Sequence, residues 1–60
     1  MTELAHRKNN GLEVTLLWDS ETNHVAVEVV DELAGEAFTL PVPGSNALDA
    51  FYHPYAYAQL

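Results

Sequence analysis

Between Leu12 and Val42 the chain alternates apolar and polar residues in three short runs. In the first, Leu12, Val14, Leu16 and Trp18 fall on one side and Glu13, Thr15 and Leu17 on the other, the two-residue period of a half-buried strand. The second run puts Val25, Val27 and Val29 against Ala26, Glu28 and Val30, and its density of β-branched residues favours extended backbone. The third sets Phe38, Leu40 and Val42 against Ala37, Thr39 and Pro41. Strands are therefore expected at about 12–18, 24–30 and 36–42.

The stretches between and around these runs read as turns and caps. Asp19–Asn23 and Asp31–Gly35 are polar connectors of hairpin length, rich in residues that bond to their own backbone or accept a left-handed conformation. Thr2 can cap a short helix at about 3–9, with Glu3 in its first turn and His6, Arg7 and Lys8 near its end, and Asn10–Gly11 supplies a left-handed stop. After Pro43 and Gly44, Ser45 or Asn46 can cap a second helix at about 46–53 that ends before Pro54. On it Leu48, Phe51 and Tyr52 share a side. Tyr55 and Tyr57 then alternate with Ala56 and Ala58, as an extended end would.

Together these elements predict a β-dominated α+β fold in one small domain, residues 1–60. It is a three-stranded antiparallel meander with a short helix at each end, the aromatic carboxy-terminal segment lying on the apolar sheet face. Short connectors place the second strand in the centre. Pro41 cannot donate to a ladder and assigns the third strand to an edge. The first strand, 12–18, forms the other edge; nothing in it protects that edge, so it invites the amino-terminal helix or a second copy of the chain.

Composition sharpens the picture. Sixty residues without cysteine rule out disulfides and thiolate zinc sites as staples, and a chain this short buries only about 60% of its unfolded surface. Oligomerisation or an unusually efficient core is the remaining source of stability, and a homodimer built on the first-strand edge or the second sheet face is expected. That second face, with Leu17, Ala26, Val30, Ala37 and Pro41 beside Glu13, Thr15, Glu28 and Thr39, suits a modest interface. The net charge is −7, and no Lys or Arg follows Lys8. Nucleic-acid binding is excluded on this field, and a basic protein partner is the complementary one. Residues 1–10 lack the apolar core of a signal peptide and no run is long enough to span a bilayer; a cytoplasmic location is expected.

Candidate chemistry is thin. Ser20 and Ser45 occupy turn and cap positions with no nucleophile motif around them, and the glycines are isolated; the carboxylates lie mostly in connectors. No catalytic residue, cofactor or metal is assigned, and the chain is not expected to be an enzyme. His24 and His53 are the weak metal candidates, since they meet only if the tail folds back over the start of the second strand. The interaction candidates are His53, Tyr55 and Tyr57 in the tail, with Leu17 and Glu28 on the second sheet face. Tyr side chains are large, fairly rigid and half polar, which interfaces favour. The tail has two readings: a lid over its own sheet, or an anchor reaching another chain.

Gly11 with Val14, Leu16 and Trp18, then Asp31, Gly35 and Phe38, and finally ALDAFYHPYAYA, resembles short uncharacterised proteins of actinobacteria. The resemblance spans most of the chain and implies a small cytoplasmic protein, with no activity or site residue attached. The sequence therefore points to a small acidic interaction or regulatory module acting as a homodimer. The alternatives are a small-molecule or metal-binding protein using the groove between tail and sheet, and an acidic mimic of nucleic acid.

Overall fold

The computed structural model describes residues 1–57. Its sheet is antiparallel and has four strands in sequence order: β1 (Thr2–Asn9), β2 (Leu12–Asp19), β3 (His24–Asp31) and β4 (Glu36–Val42). A single 3-10 turn at Gly44–Asn46 leads into α1 (Ala47–Tyr52) and α2 (Pro54–Tyr57). The three alternating runs are strands as expected, each within one residue of its expected limits.

The amino-terminal segment is a strand, not the expected helix. Asn10 and Gly11 both have positive φ, at 52° and 80°, and Asn9 pairs with Leu12. They form the two-residue hairpin turn for which Asn-Gly is the strongest short signal. Their left-handed conformations turn a hairpin here instead of ending a helix. The choice follows from what each state satisfies. An isolated helix of two turns is marginal in water, whereas a strand pairs with β2 from Leu12 to Trp18. The expected open edge at 12–18 is thereby closed, since β2 pairs with β1 on one side and β3 on the other.

The other two connectors share one construction. Asp19 Oδ1 accepts a hydrogen bond from the Glu21 amide at 3.0 Å, and Asp31 Oδ1 one from the Ala34 amide at 3.0 Å. Each loop then closes on a residue with positive φ, Asn23 at 59° and Gly35 at 67°. An aspartate that bonds forward and a left-handed last residue are what hairpin loops of this length need.

The core forms where the helices cross the valine rows. Val14, Val27 and Val29 are fully buried, and Leu16, Val42, Ala50 and Phe51 complete the cluster. Leu48, expected to point inward, is 64% exposed, and Tyr52 is 59% exposed. Ala47, Ala50, Phe51 and Pro54 face the sheet instead. The small alanines let α1 lie close over the valines, and Phe51 fills the remaining space. The tail is also not extended, because Pro54 opens a new helical turn, where its fixed φ and missing amide are harmless. The alternation expected at Ala58 lies outside the described residues.

Candidate functional site

Arg7 ties the first strand to the helical layer. Its register partner is Val14, so the side chain lies on the covered face beneath α1. There its guanidinium donates to the Phe51 carbonyl at 2.9 and 3.2 Å and to the Tyr52 carbonyl at 3.3 Å. The cation also sits 5.5 Å from the Phe51 ring centroid and 6.0 Å from that of Tyr52. These are the last carbonyls of α1, which lack partners within the helix and attract positive charge.

The tail tyrosines engage this chain. The Tyr55 ring meets Phe38 edge-on at 5.8 Å, and its hydroxyl donates to Asp31 Oδ2 at 3.4 Å. Loss of hydration and the neighbouring Asp31 and Glu36 carboxylates hold the Tyr55 phenol above the usual tyrosine range. Tyr57 packs against the core cluster; its hydroxyl donates to Asp49 and accepts from Asn46 Nδ2. The exposed His53 marks the break between α1 and α2, where its amide donates to the Asp49 carbonyl at 2.8 Å. Of the three tail candidates, two pack on their own chain, Tyr55 on Phe38 of the sheet and Tyr57 against the core cluster.

Leu17 and Glu28 lie together on the face the helices leave uncovered. Register sorts this face into rows. One row is Glu3, Leu17, Ala26 and Pro41; the next is His6, Thr15, Glu28 and Thr39; a third is Lys8, Glu13, Val30 and Ala37. Leu17, Ala26 and Pro41 on one side and Val30 and Ala37 on the other thus flank a polar row with Glu28 near its middle, while Glu3, Lys8 and Glu13 make the β1 end of the outer rows charged. Ala26 and Thr15 are buried by their neighbours alone, while Glu28, Ala37, Thr39 and Pro41 are exposed. The shortest extent of the Cα trace is 15 Å, the depth of one sheet and one helical layer, so among the described residues no further layer covers these rows.

Both cations are held within the chain, Arg7 under α1 and Lys8 by Glu32 at 3.1 Å. The Glu32 carboxylate holds the Lys8 ammonium above its usual range, with Glu13 adding to the effect. His6 lies 3.5 Å from Glu13.

His24 and His53 are not brought to one site. His24 pairs with Asp19 at the end of the sheet and lines a shallow depression of about 490 Å3 with Met1, Ala26 and Pro41 to Pro43. None of His53, Tyr55 or Tyr57 lines that depression, so it is not the groove between tail and sheet that the sequence suggested. Among the described residues no group of three His, Asp or Glu side chains is placed to hold a metal ion. No helix among them is long and apolar enough to cross a membrane. The chain matches no protein-family model, no curated protein and no solved structure.

Proposed function

We propose that this protein is a small acidic interaction module whose uncovered sheet face binds a protein partner of opposite charge. The carrying observation is the row pattern on that face: Leu17, Ala26 and Pro41 on one side of Glu28, Val30 and Ala37 on the other. Apolar patches around a polar centre have the composition of a modest interface. The charge argues for the kind of partner. With a net charge of −7 and both cations engaged internally, a second copy meets like charge, and a basic surface meets its complement. The expected edge at Leu12–Trp18 is taken up inside the sheet, and both outer strands are blunted against further pairing. β1 carries a register shift between Glu3 and Ala5 and β4 carries Pro41, devices that discourage further pairing.

A photo-cross-linking residue at the exposed Thr39, in cells that make the protein, tests this reading. Adducts with a basic protein are expected, lost on adding Glu28→Lys, and not formed when the same residue replaces Leu48 on the helical side. Equal adducts at both positions, or none at Thr39, overturn it.

A further inference from the structure

Resting on that reading, we infer that the partner element is a basic amphipathic helix carrying one Lys or Arg midway between two apolar residues, each four positions away.

The spacing of the rows leads there. Ala26, Glu28 and Val30 follow one another along β3 on the uncovered face, at about 6.6 Å per two residues. The two apolar patches are therefore about 13 Å apart, with the carboxylate halfway. A helix rises about 6 Å in four residues and about 12 Å in eight. Side chains at i, i+4 and i+8 also fall within one stripe of its surface. Laid along β3, such a helix sets an apolar residue over Leu17 and Ala26, a cation over Glu28, and a second apolar residue over Val30 and Ala37. Thr39, exposed beside Glu28 in its row, adds a hydroxyl beside the ion pair.

A helix suits this surface better than a strand. Its backbone groups are satisfied internally, whereas a single strand lying flat on a sheet leaves its own amides and carbonyls without partners. The molecule already covers its opposite face with helices. A second copy is disfavoured for a further reason: its helical segments, residues 44–57, contain no Lys or Arg, and two-fold pairing of the uncovered faces brings the two Glu28 rows together.

The probe is a capped Ala/Gln-rich peptide about 18 residues long, enough to hold a helix, with Leu, Lys and Leu at successive four-residue intervals. The control has the same composition with Lys moved to the opposite side of the helix. Titration into the isotopically labelled full-length protein, followed by amide NMR, is expected to shift Leu17, Ala26, Glu28 and Thr39. The shifts at Ala50 and Phe51 stay small. Glu28→Gln is expected to weaken binding about tenfold while leaving the free protein's spectrum dispersed, and Thr39→Lys, at an exposed position, gives the second variant. Equal affinity for peptide and control, or shifts confined to the helical side, overturns the inference. Absence of peptide binding while Thr39 still forms face-specific adducts overturns the helix and leaves the interaction module standing. A dimer in sedimentation equilibrium that Thr39→Lys dissociates assigns the face to a second copy and overturns both.

Discussion

Arg7 shows how one side chain can join two ends of a short chain. Its guanidinium reaches carbonyls 44 and 45 residues away, and charge-assisted hydrogen bonds of this kind contribute about 1.5–3 kcal/mol. Arg7→Ala is expected to lower the melting temperature by roughly 6–24 °C in a circular-dichroism scan, at about 4–8 °C per kcal/mol for a chain of this size. Arg7→Lys should recover less than half, because an ammonium cannot span two carbonyls as the fork does. An unchanged melt for Arg7→Ala would show that the clamp adds nothing. Two ionisable groups extend the residue scale to pH. Asp19 is held below the usual carboxylate range, chiefly by the Glu21 amide and also by Thr22. Its charged form is thus favoured in the fold: the stabilisation is present above the unfolded value near 3.8 and is lost as pH falls through the lower folded value. Tyr55 runs the other way. Its raised phenol keeps stabilisation below the ordinary value of 10.0, and that contribution disappears as pH rises through the folded value. Absorbance titration of the phenolates should show one late-ionising tyrosine, absent in Tyr55→Phe.

At the scale of elements the hairpin turns are where substitutions discriminate. Gly11 and Gly35 both have positive φ, but a Cβ at Gly11 would lie 2.9 Å from Leu33 Cγ, whereas one at Gly35 meets nothing within 4 Å. Alanine at either position is expected to cost about 1–2 kcal/mol from the left-handed backbone alone. Since Leu33 is 84% exposed and free to swing aside, Gly11→Ala should exceed Gly35→Ala by only a few tenths of a kcal/mol, and Leu33→Ala should erase the difference. Urea unfolding of the three variants measures it; a gap above about 1 kcal/mol would mean Leu33 is held in place. The same turns explain what was legible locally. Asp19 with Asn23, and Asp31 with Gly35, announce their loops through side-chain chemistry that acts over three or four residues. Asn10–Gly11 announced one too, but the charges of Thr2–Asn10 fit a capped helix equally well, and only the available edge of β2 separates the two.

Over the whole molecule the charge has a consequence for stability. Most of the carboxylates repel one another at distances that salt screens, since the Debye length shrinks from about 30 Å at 10 mM to about 3 Å at 1 M. Raising sodium chloride across that range is expected to lift the melting temperature by a few degrees, because the one exposed lysine pair it weakens, Lys8 with Glu32 at 3.1 Å, contributes at most about 1 kcal/mol. A melting point that falls with salt would mean the Lys8 pair outweighs the repulsion. The candidate face is legible at the same scale. Leu17 and Glu28 were identifiable from alternation because a strand's period assigns faces without reference to the rest of the fold. Their β1 neighbours across the rows, Glu3 and His6, were not, because they belong to a segment expected to be helical.

Alternation, β-branching and turn chemistry by themselves determined strands two to four, their order, the location of the loops and the valine core, since each of these depends on interactions a few residues long or on a fixed side-chain period. Tertiary structure alone decided the state of Thr2–Asn9, which is a strand only because β2 offers an unpaired edge. It decided as well the rotation of α1, which buries Ala50 and exposes Leu48, because the closest approach to Val27 and Val29 is set by the sheet and not by the helix. And it decided that the aromatic tail closes over its own chain: Tyr55 on Phe38 and Tyr57 on Asp49 are contacts across turns and layers that no local pattern contains.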